Sequence, residues 1–287
     1  MFFIRLFSQL PFSIIYIISD ITAFFMANVI RYRRKVIEKN IGIAFPEKTH
    51  QEKKKIIHDF YRNLCDVGFE ALKSLSMSQD DMKKHLVITN PEEYKKYHDN
   101  GQPVILMTGH FGNWEWQLLA YTATMGVPFG AVYKPLASKF SENLMVNIRT
   151  NFGGYVVPME RTMREILVKH KKGEVFSFGM VADQSPPGYD KKRVWLDFFG
   201  KESAFFIGPE KVTEFMNYPV IFSKIKRIKR GYYEVEIIDI HDGSEYEKGS
   251  NKILKTYSKL VEECIKEQPS NWLWSHKRWK YTRDEVE

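Results

Sequence analysis

Cysteine is almost absent. Cys65 and Cys264 are the only two in 287 residues, with no Cys-x-x-C spacing and no histidine pair beside either. That excludes a structural zinc site and leaves reduced, buried thiols, which fit a cytosolic compartment. Other signatures are missing as well. No His-Glu-x-x-His run and no second clustered histidine stand in the chain, which argues against a metal-dependent hydrolase. There is no Gly-x-Ser-x-Gly elbow, which argues against a serine acyl-enzyme. Internal repeats, low-complexity linkers and known nucleic-acid motifs are also lacking. The formal charge of +8 is carried by scattered residues, so a membrane-tethered nucleic-acid binder is the weaker reading of it. A basic surface attracts anionic lipid or an acidic protein equally well. The aromatic share of 15% suits apolar ligands or a lipid interface, and it also suits an ordinary core.

The length fits one continuous α/β domain better than two small ones. Residues 6–30 form its most apolar stretch, LFSQLPFSIIYIISDITAFFMANVI, about the roughly 20 residues that a spanning helix needs. Gln9, Pro11 and Asp20 interrupt it, and no small-residue cleavage site follows. Arg31, Arg33, Arg34 and Lys35 come next, and by the positive-inside rule they place the rest of the chain in the cytoplasm. The stretch therefore reads as a membrane span, an interfacial helix or a helix buried in the protein. The expected organisation is a membrane anchor helix over 1–30 and an α/β domain over 31–287.

Apolar residues at helical spacing predict a helix within 50–75, and Asn90-Pro91-Glu92-Glu93 offers a cap for a short one. The pattern then alternates. Strands are predicted at 103–107, 129–133, 155–158 and 175–181, with helices at 113–124, 138–151 and 161–172 between them. Such alternation implies a mostly parallel central sheet flanked by helices. Residues 219–226 and 232–240 read as an antiparallel hairpin at one end of that sheet, and 250–267 as a closing helix.

Ligands of α/β sheets bind beyond the carboxyl ends of strands. There the first predicted strand runs into TGHFGNWE, residues 108–115. On a regular helix, residues five apart diverge by about 140°. His110 and Glu115 therefore meet only if the chain turns between them, which Gly109 and Gly112 permit, with Asn113 capping the helix that follows. A carboxylate on one imidazole nitrogen makes the other a better base toward a hydroxyl. Asp183-Gln184 end another predicted strand and read as partners of acceptor hydroxyls or of the His110 loop, or as a polar turn. Lys134 ends a third strand and reads as a phosphate contact or a solvated lysine. Arg161 and Arg164 read as headgroup partners or surface arginines. His276, Lys277, Arg278 and Lys280 alternate with Trp272, Trp274, Trp279 and Tyr281. That mixture suits a headgroup boundary or an acidic carrier protein, or else a core-packed tail. Lys224, Lys226, Arg227, Lys229 and Arg230 read as a solvated hairpin.

TGHFGNWE closely resembles the His-x4-Glu motif of the lipid A biosynthesis (lauroyl/myristoyl) acyltransferases, a family related to the glycerolipid acyltransferases. RYRRKVIEKNIGIAFPE (31–47), GGYVVPMERTMREILVKHKKGEVFSFGMVADQSP (153–186) and NWLWSHKRWK (271–280) resemble further blocks of that family, in order along the chain. The resemblance implies a membrane-bound, cytoplasmic-facing O-acyltransferase at the inner membrane. It also implies an acyl-carrier-protein thioester as donor, a glycolipid acceptor and membrane lipids as partners, and no cofactor. The family's catalytic histidine and glutamate map to His110 and Glu115. Its arginine for the acyl carbonyl or the acceptor phosphate maps to Arg149. Acceptors elsewhere in the family include other polar lipids, so the acceptor does not carry over. Acyl transfer builds an oxyanion. Backbone N–H groups near Gly112 and Asn113, or Arg149, are the donors expected to meet it.

Overall fold

The structure, a computed structural model, describes residues 1–186 and 193–285. Its centre is a seven-stranded sheet. The strands are β1 (Leu86–Ile88), β2 (Val104–Thr108), β3 (Phe129–Tyr133), β4 (Tyr155–Pro158), β5 (Ser177–Val181), β8 (Val220–Lys229) and β9 (Tyr232–His241), in the order β1-β9-β8-β2-β5-β3-β4. β6 (Arg193–Phe198) and β7 (Lys201–Phe206) form a separate antiparallel ribbon. Among the described residues every neighbouring pair in the large sheet is parallel except β8–β9. The expected hairpin is present, but it is not the edge. β1 lies outside it, parallel to β9, and β8 lies beside β2.

β2 is buried along its whole length, as a central strand covered on both faces must be. The helix after it, Trp114–Met125, starts where the Asn113 side chain accepts the Trp116 N–H at 3.0 Å, and stops at Gly126 in the left-handed region. Helix His50–Lys73 is capped reciprocally by Thr49 and Glu52. The cap expected from Asn90 is absent. Its side chain instead bonds both backbone groups of Ile237 on β9, at 2.9 and 2.8 Å, and ties the β1 end of the sheet together.

Residues 2–29 are helical, with breaks near Gln9-Leu10-Pro11 and a π-turn over Phe25–Val29. Phe12–Val29 is long and apolar enough to cross a membrane. Helix Phe12–Phe24 packs along His50–Lys73 on one side only. Ile15, Ser19 and Ala23 face the body, while Ile14, Ile17, Ile21 and Phe24 are exposed, the last by 60%. On the inner side Ser19 donates to Asp66 at 2.6 Å, and Tyr16 donates to Glu70 at 2.9 Å. Arg230 grips Asp20 at 2.9 Å and Asp66 at 2.6 Å. Arg227 also binds Asp66. The β8–β9 turn, read from sequence as solvated, is thus partly a charge clamp on the N-terminal helix.

The C-terminal aromatics pack in the core. Trp272, Trp274, Trp279 and Tyr281 are all buried. Each such ring stabilises the fold by about 1.5–3 kcal/mol relative to exposure. The three tryptophans belong to the hydrophobic core. Cys65 and Cys264 are buried free thiols, as expected, and burial pushes them up to about 11 and about 12.

Candidate active site

β2 and β5 are parallel neighbours, and Thr108 pairs with Val181 at their carboxyl ends. Two residues further on, the same register sets His110 beside Asp183. His110 Nδ1 meets Asp183 Oδ1 at 2.7 Å, and the His110 backbone N–H donates to Oδ2 at 2.8 Å. Trp272 Nε1 donates to that same oxygen at 2.7 Å. Gly109 makes this possible. A Cβ there would stand 3.3 Å from Asp183 Oδ2 and would overlap the Phe111 ring. Gly112, at φ +58°, then turns the chain into the helix.

The Asp183 side chain is fully buried, whereas that of His110 keeps 21% of its exposure. Burial works to raise the Asp183 carboxyl. A proton taken up by His110, the hydrogen bonds from His110 and the Trp272 bond outweigh it and leave the group below its ordinary value. On the other side of the ring, Gln184 Nε2 lies 3.2 Å from His110 Nε2. An amide donor there matches a tautomer with the proton on Nδ1 and the lone pair on Nε2, which accepts from Gln184 until a substrate hydroxyl takes that place.

The orientation expected from Glu115 is therefore corrected: the carboxylate on the imidazole is Asp183. Glu115 sits in the first helical turn, where its oxygens take a two-pronged bond from Arg149 at 2.9 and 2.8 Å and a third from Trp114 Nε1 at 3.1 Å. Burial disfavours the Arg149 charge, but the Glu115 carboxylate overcomes this, and the guanidinium ends above its ordinary value. Asn113 caps the helix, as expected. Its Nδ2 donates to Glu70 at 2.7 Å and its Oδ1 caps the helix, so its side chain is committed away from any oxyanion. The Gly112 N–H donates to Asn271 O at 3.1 Å.

His110, Glu115, Arg149, Lys134 and Gln184 line one cavity of about 580 Å³, within the usual range for small-ligand sites. Its walls include Leu106, Leu118, Tyr121, Phe129, Met163 and Val212, so charged and imidazole groups share it with apolar side chains. Arg161 is exposed and does not line it, so the headgroup reading of that residue has no support from this cavity.

Sequence reasoning did not place residues 271–278 here. Phe111 and Trp272 form an antiparallel bridge, and the Leu273 N–H donates to His110 O at 2.9 Å. His276, Lys277, Lys280 and Tyr281 also line the cavity. The available signal was the dense aromatic run mixed with cations, whose tryptophans pack in the core while His276, Lys277, Lys280 and Tyr281 reach the cavity. Glu70 was missed entirely. It is a buried hub that accepts from Tyr16, Asn113 and Tyr233, and burial pushes it up to about 7.

A mostly parallel α/β sheet here holds a carboxylate-bound histidine at the wall of a largely apolar cavity, an arrangement that suits acid–base chemistry on an apolar ligand. A family model described as bacterial lipid A biosynthesis acyltransferase matches residues 1–281. The chain belongs to that family and is an acyltransferase of lipid A biosynthesis. Among similar curated proteins is the lipid A biosynthesis acyltransferase of Haemophilus influenzae, 22% identical over 278 residues, covering 95% of this chain and 84% of that protein. The lipid A biosynthesis palmitoleoyltransferase of Escherichia coli is 20% identical over 272 residues, covering 95% and 87%. The lauroyltransferase of the same organism is 22% identical over 283 residues, covering 96% and 88%.

Proposed function

We propose that the protein transfers a fatty acyl group from an acyl-carrier-protein thioester to a hydroxyl of a lipid A precursor, at the cytoplasmic face of the inner membrane. The observation that carries the chemistry is the His110–Asp183 pair. With Nδ1 held by a buried carboxylate, Nε2 takes the acceptor hydroxyl's proton as the oxygen attacks the thioester carbonyl. Collapse of the tetrahedral intermediate expels the thiolate of a group whose pKa is about 8.5, and the imidazolium returns the proton to it. No covalent enzyme intermediate is needed. Glu115 fixes Arg149, and the pair faces the same cavity, with Lys134 offering a further cation to an acidic acceptor.

The N-terminal segment supports membrane attachment by an interfacial helix. Its outer face presents Ile14, Ile17, Ile21 and Phe24 at helical spacing, while Asp20 at its middle is held by Arg230 of the catalytic domain. A helix crossing the bilayer would carry that pair into hydrocarbon, at several kcal/mol.

The test uses purified protein, an acyl-carrier thioester and a lipid A precursor, alongside mass spectrometry of lipids from cells lacking the gene. Wild type is expected to add one acyl mass to the precursor, and His110→Ala to lose nearly all transfer while keeping the wild-type circular dichroism spectrum. Wild-type turnover by His110→Ala would sink the mechanism. An unchanged lipid profile on deletion, with no transfer in vitro, would sink the substrate assignment.

A further inference from the structure

His276 shares the cavity with His110, and the mechanism above leaves it unused. Its position is fixed through the backbone. Asn40 Nδ2 donates to His276 O at 2.6 Å and to Trp274 O at 2.8 Å, and Arg33 donates to Ser275 O at 2.8 Å. The Leu273–His110 and Gly112–Asn271 bonds zip the same segment onto the catalytic loop. The ring is neutral at physiological pH. Burial pushes it down to about 4, with Asp183 opposing and the charges of Arg278, Arg33 and of His110 once it takes a proton adding. Its Nδ1 is sealed from solvent and has no hydrogen-bond partner. A buried N–H without an acceptor is rarer and costlier than a bare lone pair, so the proton belongs on Nε2, the nitrogen not sealed in this way.

We propose that His276 Nε2–H is the donor that meets the thioester carbonyl oxygen as it becomes an oxyanion. This rests on the acyl-transfer reading given above. Of the donors expected from sequence, the Gly112 N–H is spent on Asn271, and Arg149 is turned toward Glu115 by a two-pronged pair that takes two of its five N–H groups. A neutral donor also suits the neighbourhood. A second cation beside His110 would weaken the base, whereas a fixed neutral N–H stabilises developing negative charge and leaves the base intact.

The full-length enzyme, with acyl-carrier thioester and lipid A precursor, separates the outcomes. His276→Phe is expected to lower kcat by about 10²–10³-fold with KM for the thioester unchanged. His276→Gln, which restores an N–H, is expected to recover about tenfold of that loss. A His276→Phe enzyme with wild-type kcat overturns the proposal, as does an equal fall in both variants with a raised KM. Should the Phe variant not fold, ¹⁵N spectroscopy of the histidine-labelled wild type still decides. A neutral ring protonated on Nε2 at pH 6–8 is expected; a ring protonated on Nδ1, or on both nitrogens, refutes the donor. His110→Ala, run in parallel, keeps the two ideas apart. If it turns over normally while His276→Phe does not, the base assignment falls and the donor stands; the reverse pattern removes the donor alone.

Discussion

Asp183→Asn changes one atom and inverts one imidazole. Oδ2 of Asp183 accepts from two groups that can only donate, the His110 backbone N–H at 2.8 Å and the Trp272 indole at 2.7 Å. The amide oxygen of asparagine must take that place. Its NH₂ then faces His110 Nδ1, which becomes an acceptor, and the ring proton moves to Nε2, where the lone pair was needed. The corresponding change in a serine protease triad costs about 10⁴ in kcat, or roughly 5 kcal/mol of transition-state stabilisation. A loss of about 10³–10⁴-fold is expected here, with little change in melting temperature, because all three contacts persist. Asp183→Ala behaves differently. It strands the His110 backbone N–H and the Trp272 indole, at about 1–3 kcal/mol each, and leaves the His110 Nδ1 proton without its acceptor, so it lowers stability as well as turnover. The assay is single-turnover transfer from labelled acyl-carrier thioester, read beside a thermal melt. Asp183→Asn within tenfold of wild type would refute the tautomer argument. The wild type carries a matching acid signature. The Asp183 carboxyl is held below its ordinary 3.8 when folded, so its stabilisation is complete above that value and fades as pH falls through the folded one.

Glu115→Gln is expected to lower transfer through Arg149 while leaving the acid limb of kcat/KM in place, since its carboxylate touches Arg149 and not the imidazole. A limb moved by about one pH unit or more would restore Glu115 as the partner of His110. Glu70 is raised by burial from 4.5 to about 7 on folding, so its contribution is full below 4.5 and is lost as pH rises through about 7. That amounts to roughly 3 kcal/mol, and a melting temperature that falls between pH 5 and pH 8 and flattens in Glu70→Gln would match it; an equal slope in both proteins would not. Arg230→Ala leaves Asp20 with Arg62 alone and strips one of two arginines from Asp66. It should cost about 2 kcal/mol and speed amide exchange over residues 12–29, and unchanged exchange there would show that the clamp is idle.

The strand–helix alternation was legible because each unit carries its own signal. Strands 129–133 and 155–158 fall where expected, and helix Trp114–Met125 differs from its expected bounds by one residue at each end. The pairing of His110 with Asp183 was legible only as one of the alternatives open to Asp183, because it depends on which strands are neighbours. Glu115 lies five residues from His110, and Asp183 lies 73 away. Only the β2–β5 register makes the distant residue the near one. Asn90 failed for a similar reason: its local capping pattern lost to strand β9, nearly 150 residues on. The β6–β7 ribbon and helix Gly208–Met216 went unassigned for want of a clear period.

The zip between residues 110–112 and 271–273 gives the site a timetable. During synthesis the sheet and its histidine emerge long before Trp272, whose indole completes the Asp183 cradle, and before Leu273, whose N–H holds the His110 carbonyl. Until those residues clear the ribosome, the buried carboxylate lacks one of its donors and the imidazole its fixed setting. A nascent chain already touching lipid through its first helix would thus meet its substrates with an unfinished catalyst, and chemistry would begin only when the closing segment docks.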